Sequence, residues 1–87
     1  DSLTLKDAEA RLAGYLTNLA RKEEPLTPGT IRVELPMAKN ILASHLGMTS
    51  ETLSRTLRKF HEEKFITVDG KSVVIRNLSG LTNLTEL

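Results

Sequence analysis

Ala38-Lys39-Asn40-Ile41-Leu42-Ala43-Ser44-His45-Leu46-Gly47-Met48-Thr49-Ser50-Glu51-Thr52-Leu53-Ser54-Arg55-Thr56-Leu57-Arg58-Lys59 is the stretch that decides the fold. Two short helical patterns meet at Leu46-Gly47-Met48-Thr49. The first offers Ile41, Leu42 and Leu46 for apolar contact, and Ala43 is small where a second helix must cross closely. Gly47 can take the positive φ that a sharp turn after a helix needs. Met48 is placed to plug the turn. Thr49 can cap the second helix, its hydroxyl accepting from a free N–H at Glu51 or Thr52. In that helix, expected over residues 50–63, Leu53, Leu57 and Phe60 fall at i, i+4 and i+7 and define the buried face. Ser50, Glu51, Ser54, Arg55, Arg58 and Glu62 lie on the other side. Two helices joined by a tight Gly-containing turn, the second with an exposed hydrogen-bonding face, describe a helix-turn-helix. An ordinary solvated face gives the same spacing. Ser54 and Arg55, a short and a planar donor near the helix start, suit a helix that enters a DNA groove.

The flanks extend the pattern. Residues 1–24 read as a helix, effectively 4–24 because Thr4 is a suitable N-cap with Asp7 three residues on. Leu5, Ala8, Leu12, Tyr15, Leu16 and Leu19 form its apolar stripe. Pro25-Leu26-Thr27-Pro28-Gly29 breaks it into a loop. Residues 30–35 alternate, with Ile31, Val33 and Leu35 on one side, which predicts a short half-buried strand. Pro36 ends that strand and suits the first turn of the next helix, expected over 37–45. Residues 65–76 read as a hairpin about Asp69-Gly70-Lys71, because Asp-Gly is a strong turn signal. A hairpin directly after such a helix is the wing of a winged helix, with Lys71 at its tip. Leu78, Leu81, Leu84 and Leu87 recur at three-residue steps, compatible with a short helix or an extended apolar tail. The expected fold class is α+β, a winged helix-turn-helix over residues 1–87 with its helix-turn-helix at 37–63 and its wing at 65–76.

Composition sets the outer bounds. Eighty-seven residues, 39% apolar and 26% charged, make one small domain of ordinary globular type. There is no Cys, so disulfides and thiolate metal sites are excluded. No apolar run approaches the roughly 20 residues of a membrane span. No signal-peptide pattern stands at the start, although Asp1 can be a cut end. The net charge of +1 is unevenly spread, because residues 36–76 carry +3 and the segments on either side carry −1 each. Positive charge collecting around the helix-turn-helix fits phosphate binding.

Pro36-x-x-Lys39, then Leu42-Ala43-x-x-Leu46-Gly47-x-Thr49-x-Glu51-Thr52-Leu53-Ser54-Arg55-x-Leu57, resembles the C-terminal domain of the cyclic-AMP receptor protein and fumarate-nitrate-reduction regulator (Crp/Fnr) superfamily. Phe65-Ile66-x-Val68-Asp69-Gly70 with Val73-x-Ile75 resembles that family's wing, so the likeness runs over residues 4–76. The resemblance implies a dimeric, cytoplasmic bacterial transcription factor that binds double-stranded DNA, one recognition helix per half-site of a palindrome. It also implies an N-terminal effector-binding barrel and a long dimerisation helix, neither in this chain. The effector (haem with nitric oxide, a cyclic nucleotide or an iron–sulfur cluster) would sit in that barrel, so no cofactor is expected here. RNA polymerase is an implied contact of the full-length protein.

Carried over by position, Glu51, Ser54 and Arg55 become base-reading residues. Arg55 suits G at O6 and N7, and Glu51 suits the C N4 amino group. Lys39, Asn40, Thr49, Ser50, Thr52, Arg58 and Lys71 fall at positions of backbone contact, which position a domain without specifying sequence. The pattern Glu-x-x-Ser-Arg sides with the fumarate-nitrate-reduction branch, and so with a TTGA-type half-site. The run Leu35-Pro36-x-x-Lys39 is similar to that of the dissimilatory nitrate-respiration regulators, which sense nitric oxide. Two positions depart from the family: Ala38 stands where a Ser or Thr cap is usual, so the first helix of the motif is less sharply started, and Lys64 stands where Gly or Asn often closes the recognition helix; a Lys in a left-handed conformation there would be mildly strained.

Other chemistries find little support. His45 and His61 are the only imidazoles and lie on different helical patterns, so no metal site is expected. Ser44 and His45 are adjacent on a helix and point apart, so they are no nucleophilic pair. No enzyme is indicated. The rival to DNA binding is a winged-helix module that binds protein, since fold does not fix function. The Glu51/Ser54/Arg55 set discriminates, because a protein-binding winged helix has no reason to carry it.

Overall fold

In the computed structural model, which describes residues 4–25 and 29–85, Thr4 caps helix α1 (Leu5–Ala20). Its hydroxyl accepts from the Asp7 N–H at 3.1 Å, and the Asp7 carboxylate accepts from the Thr4 N–H at 3.3 Å. This is the reciprocal capping box foreshadowed by the Thr4/Asp7 spacing. The hydrogen bond from the Thr4 backbone, then that with its side chain, holds the Asp7 carboxyl below its ordinary value. The helix ends four residues short of Glu24, with Arg21 as its C-cap. The first residues of the expected helix, residues 26–28 of the expected loop, and Leu87 of the leucine tail lie outside the described residues.

The buried face of α1 differs from the leucine stripe. Ala8, Leu12 and Leu16 are buried as expected, but so are Glu9, Ala13 and Ala20. Leu5 is 51% exposed, and Tyr15 and Leu19 only pack against the edge of the core. Helices and strands press on α1 from several sides, and the alanines give them room to approach.

Strand β1 (Ile31–Glu34) follows, alternating buried and exposed as the sequence predicts. Helix α2 (Lys39–His45) starts two residues later than expected, capped by Ala38, whose side chain makes no cap bond. Pro36 therefore lies before the cap and not in the first turn. Ile41, expected to pack, is 55% exposed. The helix has only seven residues and buries Leu42 and Ala43, and Ile41 points about 100° away from Leu42.

Helix α3 (Ser50–Glu62) buries Leu53, Leu57 and Phe60, as their spacing predicts. Burial of each stabilises the fold by about 1.5–3 kcal/mol. Thr56 is buried with them, and its hydroxyl donates to the Thr52 carbonyl at 2.8 Å. That bond lets a polar residue join an apolar face.

Both motif helices end in the same way. At the end of α2, the Gly47 N–H donates to Ser44 O at 3.1 Å and the Met48 N–H to Ala43 O at 2.9 Å. At the end of α3, the Lys64 N–H donates to His61 O at 3.0 Å and the Phe65 N–H to Phe60 O at 2.9 Å. These are paired Schellman closures, each needing a left-handed residue. Gly47 has φ +75 and Lys64 has φ +65, so Lys64 does adopt the left-handed conformation in which a Lys is mildly strained. Phe65 meets Phe60 edge-on at 6.1 Å between ring centres, supplying the apolar contact that accompanies such a closure.

The wing is part of a three-stranded antiparallel sheet in the order β1-β3-β2, with β2 at Ile66–Asp69 and β3 at Ser72–Ile75. Asp69 pairs with Ser72, so the turn is Gly70-Lys71 and Asp69 still belongs to its strand. Gly70 has φ +61 and Lys71 stays at negative φ, as in a type II′ hairpin turn. Ile31, Ile75 and Ile66 stand in one cross-strand row facing the core, and Val33, Val73 and Val68 in the next. On the outer face Arg32 and Glu34 bracket Ser72, whose hydroxyl takes an N–H from Arg32 at 3.1 Å and donates to Glu34.

The leucine tail is a helix, α4 (Leu78–Leu84), capped by Asn77, which accepts the Gly80 N–H at 2.9 Å. Leu81 is buried, and Leu78 and Leu84 pack against the core, whose α1 face this helix covers. Glu9 of α1 bonds Lys59 of α3 at 2.7 Å. The hydrogen bond to the Glu9 carboxylate, and then its charge, hold the Lys59 ammonium above its ordinary value.

Two outcomes follow for stability. Lys64→Gly removes left-handed strain and is expected to stabilise by about 0.5–1 kcal/mol, whereas Gly47→Ala introduces it and is expected to cost about 1–2 kcal/mol. Urea titrations read both. Lys59 binds its proton more tightly when folded, so its stabilising contribution is complete below 10.5 and is lost as pH rises through the higher folded value. Denaturation midpoints should therefore fall above pH 10.5 in the parent chain and fall less in Lys59→Met.

Candidate nucleic-acid interface

The start of α3 is built by its cap. Thr49 Oγ1 accepts from the Thr52 N–H at 3.1 Å and donates to Thr52 Oγ1 at 3.0 Å. Thr49 and Ser50 are exposed at this end, while Thr52 is half-buried with its hydroxyl tied into the cap. Of the two N–H groups the sequence offered as partners, the one used is at Thr52. The cap bonds the backbone of the first turn on its own side and leaves the outer face exposed.

Glu51, Ser54 and Arg55 stand together on that outer face, all exposed. Glu51 and Arg55 are one turn apart and pair at 3.6 Å. Arg58 pairs in the same way with Glu62 at 3.4 Å. Such exposed pairs are worth about 0–1 kcal/mol, so they hold the side chains loosely and yield to a better partner.

Of the residues expected at the DNA backbone, Thr49, Ser50, Thr52 and Arg58 belong to α3 or its cap, and Lys39, Asn40 and Lys71 border this face from α2 and the wing. Lys39 opens α2 and shares a cleft of about 220 Å³ with Ser54, Leu57, Arg58, His61 and Val68. It also lines a second cleft, with Leu35, Met37 and Ala38 on one side and Gly70 and Lys71 of the wing tip on the other. The wing tip is tethered there, because the Leu35 N–H donates to Lys71 O at 2.8 Å. Asn40 is exposed beside Lys39 on α2. Cations from α2, α3 and the wing thus border one surface, and Glu51 is the carboxylate among the three residues at its centre.

Two contributors were not found from the sequence. Arg11 of α1 donates from Nη1 to Leu46 O at 3.0 Å and to Gly47 O at 3.4 Å. It binds the carbonyls of the C-cap and of the turn residue just after α2, at the helix end where a cation is favoured. A Cβ on Gly47 would stand 2.7 Å from that guanidinium, so a side chain there would make the end of Arg11 shift, while the positive φ is what requires Gly. Arg11 is 35 residues from Leu46, and no local spacing announces such a pair. The second is His61, considered from the sequence only as a metal ligand and set aside, which lies in the cleft with Lys39 and Arg58. Among the described residues, no group of three or more His, Asp or Glu could hold a metal ion, and no helix is long and apolar enough to cross a membrane.

A helix-turn-helix with a short β-wing, and a hydrogen-bonding face bordered by cations, defines the class: a winged helix-turn-helix of the kind found in DNA-binding regulators. Residues 10–84 match the family model described as the Crp-like helix-turn-helix domain, and the chain belongs to that family. It is 36% identical over 84 residues to the fumarate and nitrate reduction regulatory protein of Escherichia coli strain K12, covering 94% of this chain and 33% of that protein. It is 35% identical over 83 residues to the anaerobic regulatory protein of Haemophilus influenzae, covering 95% of this chain and 32% of that one. The chain therefore spans about a third of the length of these relatives. Among solved structures, the CO-dependent transcription factor CooA from Carboxydothermus hydrogenoformans superposes with a TM-score of 0.82 at 28% identity, over 95% of this chain and 38% of that one. FixK2 from Bradyrhizobium japonicum superposes with a TM-score of 0.73 at 32% identity, over 88% and 37%. These relatives are regulators by name.

Arg11→Ala should loosen the turn that orients α3. The expected cost is about 0.5–1.5 kcal/mol of stability, with weaker duplex binding but the same base preference. Melting curves and competition with single-base variants of the duplex check both parts.

Proposed function

We propose that this chain is the DNA-reading part of a longer, dimeric transcription regulator, and that α3 enters the major groove to read a TTGA-type half-site. The observation that carries this reading is the Glu51/Ser54/Arg55 face: exposed, turned away from the core, capped at its start, and bordered by Lys39, Arg58 and Lys71. Arg55 supplies two parallel donors for G, and Glu51 accepts from C. Their mutual pair in the free chain holds both side chains over the same patch, where they can exchange partners with base edges. Ser54, one turn before Arg58, supplies the short donor or acceptor between them. Lys39, Asn40, Thr49, Ser50, Thr52, Arg58 and Lys71 contact phosphates and set the register.

The likeness to the fumarate and nitrate reduction regulatory protein at 36% identity supports the TTGA-type half-site over the cyclic-AMP-receptor type. The Leu35-Pro36-x-x-Lys39 run supports the nitric-oxide-sensing branch within the family. In this reading the full protein works in the cytoplasm as a homodimer, with its effector site in an N-terminal sensor and a contact to RNA polymerase. The half-sites of one palindrome are then bound by two tethered copies, and a lone chain binds each more weakly.

Binding to a duplex with two TTGA-type half-sites should weaken steeply with salt through counterion release. Arg55→Ala should cost about 1–3 kcal/mol on that duplex and relax choice at one base pair, whereas Lys39→Ala should weaken cognate and scrambled duplex alike. Fluorescence anisotropy titrations at several salt concentrations separate the two. Equal parent affinity for cognate and scrambled duplex, or salt-insensitive binding, would sink the reading and favour a protein-binding module.

A further inference from the structure

We propose that His61 is an additional DNA-backbone contact and that its protonation makes DNA binding by this chain pH-dependent. The inference rests on the DNA-binding reading above and adds to it a residue and a control. His61 is exposed in the last turn of α3, three residues after Arg58 and seven after Ser54. Those steps place it on the Ser54/Arg58 side of the helix, one and two turns along. It shares their cleft with Lys39 of α2 and Val68 of β2. A phosphate that meets Lys39 and Arg58 across this cleft lies within reach of the imidazole.

The charged groups around it are Lys39 from α2, Arg58 on α3 itself, and Glu62, which is engaged by Arg58 at 3.4 Å. The β2 side contributes the apolar Val68. A protonated imidazole beside Lys39 and Arg58 adds a third cation facing a bound phosphate, at the negative end of α3, and tightens binding. Histidine is the side chain whose charge changes within the physiological pH range. The chain has one other His. His45 stacks edge-on against Tyr15 at 5.9 Å, in a cleft with Arg11 and Asn18 on the α1 side, away from the reading face. It serves as the internal control.

The test measures affinity for the duplex with two TTGA-type half-sites, and for a scrambled duplex, at pH 6.0 and pH 8.0 with ionic strength held constant. The parent chain is expected to bind about two- to fivefold more tightly at pH 6.0, as for one added exposed ion pair. The salt dependence should steepen by about 0.9 per domain. Both duplexes should show the gain, since a phosphate contact carries no sequence information. His61→Gln should lose the gain and His45→Gln should keep it. His61→Lys should bind at pH 8.0 as the parent does at pH 6.0, which guards against a loss caused by misfolding. A gain that survives in His61→Gln, or parent binding that is equal at both pH values, overturns the inference and leaves the DNA reading standing. No binding to either duplex at either pH overturns both.

Discussion

The turn at Gly47 is the constraint on which the interface depends. Two short helices can cross closely only if the chain reverses within a few residues without leaving buried carbonyls unpaired. Gly47 takes the left-handed conformation, the N–H groups of Gly47 and Met48 close the end of α2, and Arg11 reaches across from α1 to bind the Leu46 and Gly47 carbonyls. Met48 and Ala43 are buried at the crossing. With α2 fixed, the Thr49 cap fixes the start of α3, and Leu53, Leu57 and Phe60 fix its rotation about its own axis. The direction of Glu51, Ser54 and Arg55 is the remainder once those positions are set.

The same logic closes the other end of α3. The second Schellman turn uses Lys64 in place of Gly and stays left-handed because Phe65 is held against Phe60 and its carbonyl takes the N–H groups of Arg76 at 2.7 Å and Asn77 at 3.1 Å. That junction fastens α3 to the wing and the wing to α4. The wing tip is tethered in turn to the segment before α2 through the Leu35–Lys71 backbone bond. Lys39, Arg58 and Lys71 come from three different elements, yet their spacing is set by these backbone closures. The charged surface is thus a consequence of how the helices end.

Much of this was legible in the sequence because it is local. A Thr/Asp box, a Gly after a helix, a Thr before one, and an i, i+4, i+7 apolar triple are read within a turn or two. Lys64 stood out only against the resemblance, at a position where Gly or Asn is usual. What escaped depends on partners far along the chain. Leu5 and Ile41 are apolar and helical, but among the described residues each stays about half exposed. Glu9 is charged yet buried, because Lys59 arrives from α3 to pair with it. The alternation of residues 30–35 announced a strand, but not that it joins the wing sheet through β3. Of the candidate site, the polar face of α3 was visible as a periodic stripe, whereas Arg11 and the cleft at His61 required several elements to be brought together.

The central claim is that the face held out by the Gly47 turn reads a defined base sequence. Selection of bound sequences from a random duplex pool by this chain, with a dimer-restored version alongside, tests it most directly. The account predicts enrichment of TTGA-type half-sites, arranged as a palindrome for the dimer, and loss of preference at one base pair in Arg55→Ala. A pool that emerges unenriched from a folded, binding-competent chain would contradict it.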